Sequence, residues 1–251
     1  AAQSNMDGER FVTLGLARQK LWVTGNIKFD LQLPASLMEQ GKQLRSQWGN
    51  RPTIIAASTH DGEESILLDS FKKIREKHPT ALLILVPRHP ERFKKVAQLC
   101  QSQSFSFVQR SRNELPTEQT DILLGDTIGE LRLLYAASDI AFVGGSLVPV
   151  GGHNLIEPAA LSLPIVSGHY LHNFVAISQL LKAANAVMIV HNEKMITAAV
   201  IKLLDDTSFS QAMGQRAYDV SAANKGALDR HLQWIERKMN GEHVGGFFSI
   251  T

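Results

Sequence analysis

The sequence predicts an α/β protein built on a Rossmann-like, doubly wound parallel sheet. Three observations carry that reading. The runs TIIAAST (53–59), ALLILVP (81–87) and DIAFVGG (139–145) have continuous apolar centres and do not alternate. A strand needs that composition only when both faces of its sheet are covered. Helical patterns stand between the strands, and the connections are short, as right-handed crossovers over an open sheet require. Polar, glycine-rich segments also follow the strands, at the edge where such sheets bind ligands.

The elements follow in order. Asn5 is placed to cap a short helix that stops at Gly15, and KLWVT (20–24) reads as a short strand. Residues 33–50 read as a helix with apolar positions at 37, 44 and 48, ending at Gly49. After strand 53–59, Asp61 and Glu64 have the spacing of a capping box, and positions 67, 71 and 74 form an apolar stripe. Strand 81–87 is followed by a helix over ERFKKVAQLCQ and a strand over SFSFVQR. DILLGD (121–126) is a strand, and Thr127 with Glu130 is a second capping box opening a helix through Ala137. Beyond strand 139–145, Asn154 and Glu157 open a helix, PIVSG (164–168) is a strand, NFVAISQLLKA a helix and AVMIV (186–190) the last strand. Helical patterns over 193–204, 208–222 and 227–238 close the chain.

Composition removes several classes of function. The chain has 251 residues, 44% of them hydrophobic and 20% charged, which fits a folded domain and excludes disorder as the main state. A single Cys excludes a disulfide framework and a Cys-rich zinc site. No apolar run reaches the roughly 20 residues a membrane-spanning helix needs. The net charge of +2 fits an anionic ligand and no nucleic acid. The chain opens mid-pattern without Met, so a piece of a longer protein is expected.

The richest chemistry lies after strand 139–145. Gly144-Gly145-Ser146 and Gly151-Gly152-His153-Asn154 bracket LVPV, ahead of a helix start. Glycines let backbone approach a ligand, and unpaired N–H groups favour a phosphate. The alternative is a tight turn that needs glycine for steric reasons alone. Neither GxGxxG nor a P-loop is present. Glu157 reads equally well as a capping partner of Asn154 or as an acceptor for a ribose diol. Arg88-His89, directly after a buried strand, offers a planar fork of donors to phosphate or carboxylate. Ser58 and His60 close strand 53–59 in the same topological place, and Asp126 closes strand 121–126. Lys28 is a lone charge after the Gly25-Asn26 turn. His60, His89, His153 and His169 all follow strands, but no HExxH-like spacing supports a metal. Cys100 reads as a core residue, and no GxSxG elbow occurs.

The segments GNIKFD (25–30), ASTHDGEE (57–64), PRHPERF (87–93), LLGDTIGEL (123–131) and FVGGSLVPVGGHNLIEPA (142–159) closely resemble the Kdo transferases, the 3-deoxy-D-manno-octulosonic acid transferases of lipopolysaccharide synthesis. The resemblance runs to the last helices, while the tail GGFFSIT (245–251) carries no motif of the family. It implies the C-terminal, donor-binding lobe of a two-lobed GT-B glycosyltransferase that inverts configuration. The implied donor is CMP-Kdo, with no cofactor, and the acceptor is a lipid A precursor at the cytoplasmic face of the inner membrane. It also implies that Gly144 to Asn154 form the donor phosphate and sugar loop and that Glu157 is the ribose ligand. Ser58, His60, Arg88, His89, Lys28 and Asp126 become cleft-facing candidates, with Arg88 and Lys28 as stabilisers of the leaving group. The family's base is a glutamate of the N-terminal lobe, so this lobe is expected to bind donor and to be inactive alone. The expected organisation is an inter-lobe remnant over 1–24, the nucleotide-sugar lobe over 25–206, and C-terminal helices and tail over 207–251 that pack toward the other lobe, with Trp234 and Ile235 as contacts. The competing readings are a GT-B transferase or epimerase using a UDP-sugar, and a nucleotide-binding domain without chemistry.

Overall fold

The structure, a computed structural model, describes residues 1–241. The tail 245–251 singled out above lies outside the described residues. Two compact units are present: one of Ala1–Gln32 together with the chain from Asp219 on, the other of Leu33–Tyr218.

The larger unit holds the sheet. Its strands are β1 (Thr53–Thr59), β2 (Leu82–Pro87), β3 (Phe107–Gln109), β4 (Ile122–Leu124), β5 (Ile140–Val143), β6 (Ile165–Ser167) and β7 (Val187–Ile189). They lie in the order β3-β4-β2-β1-β5-β6-β7, and every pairing is parallel. The order reverses beside β1: β2 joins one side of it and β5 the other. In open sheets of this kind the crevice at the carboxyl ends of two such strands is where ligands bind.

Helices flank and alternate with the strands: α2 (Leu37–Ser46) before β1, then α3 (Glu63–Lys77), α4 (Phe93–Ser102), α5 (Leu131–Ala136), α6 (Ile156–Ala160), α7 (Val175–Ala183), α8 (Glu193–Asp205) and, directly after α8, α9 (Thr207–Ala223). Neighbouring residues of one strand feed opposite layers. Ile54 and Ala56 pack with Leu67, Phe71 and Ile74 of α3, Val96 of α4 and Val200 of α8. Ile55 and Ala57 pack with Leu37 and Leu44 of α2 and Leu134 and Tyr135 of α5. The uniform apolarity of the central strands is therefore the signature of two covered faces. Cys100 is buried in the first layer, and burial pushes its thiol up to about 12, so it stays protonated.

The smaller unit contains α1 (Asn5–Thr13) and α10 (Ala227–Met239). Here the expected strand over 20–24 does not form. Val23 makes one parallel bridge, to Ala2, and residues 18–20 are a 3-10 turn. The segment that would pair with it turns straight into α1, whose cap is Ser4 and not Asn5: the Ser4 hydroxyl accepts from Asp7 N at 3.1 Å. Asp30 supplies the end of α10 with an acceptor, taking hydrogen bonds from Gly226 N and Leu228 N. Arg230 Nε donates to the Thr24 carbonyl at 2.7 Å.

The capping boxes expected in the larger unit also resolve differently. Gly62, at φ 89°, occupies the cap position of α3, and Asp61 turns outward to Arg92 and Lys95. Thr127 donates to Glu130 at 2.5 Å, but the helix starts after both, and Arg110 Nε and Nη2 grip the Glu130 carboxylate as a bidentate pair.

Candidate functional site

The carboxyl ends of β1 and β5 build the site. At the last turn of β1 the pairing with β2 slips, and Ser58 takes φ 55°, a left-handed conformation rare for a side chain with Cβ. The slip aims His60 across the crevice. His60 Nε2 lies 2.7 Å from His153 Nε2, and the two rings stack with centroids 5.0 Å apart. His89, from the end of β2, sets its ring edge-on to His60 at 5.2 Å. Two imidazole nitrogens that close share one proton, one donating and the other accepting, so the pair is neutral. Burial lowers both affinities for a second proton. For His60, His89 and Arg92 add to this against the opposing pull of Glu63 and Glu64. For His153, His60, Arg88 and His89 add to it and bring the value to about 4.

Beneath these rings lies a buried carboxylate that the sequence reading passed over. Glu63, the first residue of α3, has no exposed surface. Its Oε2 accepts from His60 N at 2.9 Å and Gly145 N at 2.6 Å; its Oε1 accepts from Ser146 N at 2.9 Å and Leu147 N at 2.8 Å. Three successive N–H groups of the glycine-rich loop thus converge on an anion that belongs to the protein. Glu64, next in the chain, is buried and held by Thr59 Oγ1 at 2.8 Å and by both Nη atoms of Arg92.

The rest of the loop is folded back onto this base. Gly144 N donates to the Ala57 carbonyl at 2.8 Å, and Gly152 N to the Gly145 carbonyl at 2.7 Å. Gly152, at φ 80°, packs so that a Cβ would stand 2.7 Å from Leu171 Cδ2; Gly151, at φ 107°, faces the side chains of His172 and Asn173. Glycine is thus required here for sterics. The backbone N–H groups of His153 and Asn154 have no hydrogen-bond partner among the described residues.

Several expected site residues are engaged by their own neighbours or lie elsewhere in the chain. Ser146 is buried: its hydroxyl donates to the Val143 carbonyl at 2.6 Å and accepts from Gly168 N at 2.8 Å, joining β5 to β6. Asp126 accepts from Gln109 Nε2, Ser111 N and Ser111 Oγ, which ties the end of β4 to the turn after β3. Asn154 Oδ1 accepts from Ile156 N at 3.0 Å, but Glu157 does not complete a capping box. Its carboxylate meets Arg132 Nε at 3.2 Å instead, so the capping explanation for Glu157 falls. Lys28 sits in the smaller unit, on the 3-10 turn Ile27–Phe29 capped by Asn26.

No family model matches the chain. Among curated proteins, the chain is 45% identical over 238 residues to a 3-deoxy-D-manno-octulosonic acid transferase of Haemophilus influenzae, covering 94% of this chain and 56% of that protein. Among solved structures, it matches the C-terminal CMP-Kdo binding domain of WaaA from Acinetobacter baumannii at 34% identity. That match has a TM-score of 0.71 and covers 74% of this chain and 98% of the other. The chain belongs to the 3-deoxy-D-manno-octulosonic acid transferase family. It spans about half the length of the curated relatives it matches. A Listeria monocytogenes protein described as a putative UDP-N-acetylglucosamine 2-epimerase is similar in fold alone, at 14% identity, a TM-score of 0.63, and coverage of 98% of this chain and 60% of that one.

Within this Kdo-transferase chain, the structure brings together Ser58, His60, Arg88, His89, Gly144, Gly145, Gly151, Gly152 and His153 around the reversal of strand order. Sequence reasoning missed Glu63, Arg92 and Arg132. The signal for the first was present: two adjacent carboxylates in HDGEE, where one cap accounts for only one of them. Among the described residues, no group of His, Cys, Asp and Glu is arranged to hold a metal ion. Among the same residues, no helix is long and apolar enough to cross a membrane.

Proposed function

We propose that this lobe binds CMP-Kdo and serves the transfer of Kdo to a lipid A precursor by an inverting glycosyltransferase of lipopolysaccharide synthesis. The observation that supports this most directly is the match, over nearly the whole of that structure, to a domain described as binding CMP-Kdo. The site chemistry agrees. Transfer breaks the bond between the anomeric carbon and the cytidylate phosphate, leaving a phosphate that gains a negative charge. Fixed donors aimed at that charge lower the barrier. Arg88, whose backbone N is anchored to the Thr59 carbonyl at 3.0 Å, offers the cation. The N–H groups of His153 and Asn154, with the imidazoles of His153 and His89, offer dipoles beside it.

Within the Gly144–Asn154 loop, the second glycine pair and its free N–H groups favour a phosphate seat at His153 and Asn154. The N–H groups of Gly145, Ser146 and Leu147 already face Glu63. Glu157, largely buried and held by Arg132, keeps carboxylate capacity for a ribose diol. The resemblance puts the base that deprotonates the acceptor on the other lobe, together with acceptor selection and attachment to the inner membrane; Lys28 is a further leaving-group candidate. The lobe alone then binds donor and does not turn it over.

Calorimetric titration of the chain with CMP, UDP and CMP-Kdo tests the reading. Binding of CMP and CMP-Kdo with UDP at least about tenfold weaker supports it. Equal or tighter binding of UDP overturns it in favour of a UDP-sugar enzyme, and no nucleotide binding leaves a domain without this chemistry. Glu157→Gln sharpens the test: wild type is expected to prefer CMP over 2′-deoxy-CMP, and the variant to lose that preference. Turnover by the chain alone, at a rate matching the complete enzyme, would overturn the division between the lobes.

A further inference from the structure

Glu63 is fully buried, yet the transfer chemistry proposed above gives it no part. Its bonds show what it does to the crevice. One carboxylate receives four backbone N–H groups: His60 N from the end of β1, and Gly145 N, Ser146 N and Leu147 N from the loop after β5. These two chain segments carry the two halves of the site. The first presents the His60 ring. The second carries the Gly145 carbonyl, which receives Gly152 N at 2.7 Å and so sets the direction of His153. A Cβ on Gly145 would stand 2.9 Å from His153 Cδ2, so little slack exists between that backbone and the imidazole. The 2.7 Å contact between His60 Nε2 and His153 Nε2 depends on both placements.

A neutral side chain could not do the same. Four N–H dipoles pointing at one place repel one another unless an anion sits there. A glutamine offers one acceptor oxygen, and its NH2 would meet N–H groups head-on.

We propose that Glu63 is a positioning residue of the donor site, whose buried carboxylate locks the loop after β5 to the end of β1 and thereby sets the His60–His153 pair against the phosphate. The inference rests on the donor-binding reading above. It predicts that the charge at 63 controls nucleotide affinity through the loop and not through the fold as a whole.

The test compares wild type with Glu63→Gln and Glu63→Asp. CMP affinity is read by calorimetry, and hydrogen exchange is followed peptide by peptide. In Glu63→Gln, exchange over residues 144–154 is expected to accelerate about tenfold or more, while peptides over β2, β4 and α8 keep their protection. CMP affinity is expected to fall about tenfold or more in step. Glu63→Asp, shorter by one methylene but charged, is expected to recover part of both, and it stands in if the Gln variant does not fold. Unchanged loop protection with unchanged CMP affinity overturns the proposal. So does protection lost evenly across the sheet, which would mark a general core residue. If wild type binds no CMP, the donor-binding reading fails, and the exchange comparison still decides whether Glu63 holds the loop.

Discussion

Replacing Arg92 by Met should be the most damaging single change near the site that touches no proposed ligand contact. Glu64 has a side chain only 2% exposed, and Arg92, itself 14% exposed, places one Nη at 2.5 Å and the other at 3.0 Å from its two oxygens. Removing the guanidinium leaves a carboxylate in the interior with one remaining neutral partner, the Thr59 hydroxyl at 2.8 Å. Stranding one member of a buried ion pair costs about 3–5 kcal/mol. The second ion pair of Arg92, with Asp61, adds little, because Asp61 is 70% exposed and such pairs contribute about 0–1 kcal/mol. Arg92→Met should therefore lower the unfolding free energy by about 3–5 kcal/mol, measured from urea transitions with an unchanged m-value. Adding Glu64→Gln removes the stranded charge, so the double variant should be more stable than Arg92→Met alone by about 2 kcal/mol. A single-variant loss below about 1 kcal/mol, or a double variant no more stable than the single, would refute the reasoning.

Two further outcomes follow from the same geometry. His153 takes a proton at about 4 in the folded protein but near the ordinary histidine value once unfolded, so the unfolded state binds more protons between the two. The contribution of His153 should therefore decline as pH drops below about 6.5 and be fully lost near pH 4, and His153→Asn should flatten the slope over that window in urea midpoints taken at several pH values. Gly168→Ala would drive a methyl group into the Ser146 carbonyl and the Leu147 nitrogen, both backbone. It should cost about 1–3 kcal/mol in thermal or urea unfolding and weaken CMP binding through the displaced loop, whereas wild-type stability would show that the β5–β6 junction yields.

The sheet was legible because its evidence is local. TIIAAST and LLILVP carry unbroken apolar runs, Ile54–Ala57 and Leu82–Val86, and both strands are buried along their whole length. The short N-terminal segment misled because KLWVT has strand composition but only Ala2 beside it, and strand propensity acts only where a partner exists. In the site, topology alone places the positions after strands at one sheet edge, and the structure gathers several of them at the carboxyl ends of β1 and β5. What each side chain does there was less legible. Glu63 and Gly145 are 82 residues apart in sequence, and only the placement of β1 beside β5 makes them partners. The same holds for Glu157: a helix-start motif explained it locally, but Arg132, 25 residues earlier, is its partner in space. Ser146 and Asp126 had the chemistry of ligand contacts, but their own neighbours satisfy them.

The carboxylate under the glycine-rich loop bears on how fast and how cheaply this protein takes up a ligand. Many phosphate loops stay ill-defined until the anion arrives, and the ordering entropy is then subtracted from the affinity. Here an internal anion has already organised the chain from Gly145 to Leu147, so that cost falls during folding rather than at the encounter. A nucleotide bound as proposed would meet a floor already formed, with side chains such as Arg88 left to settle. Association should then approach the rate set by collision and orientation, with the bound lifetime governing differences in affinity between nucleotides.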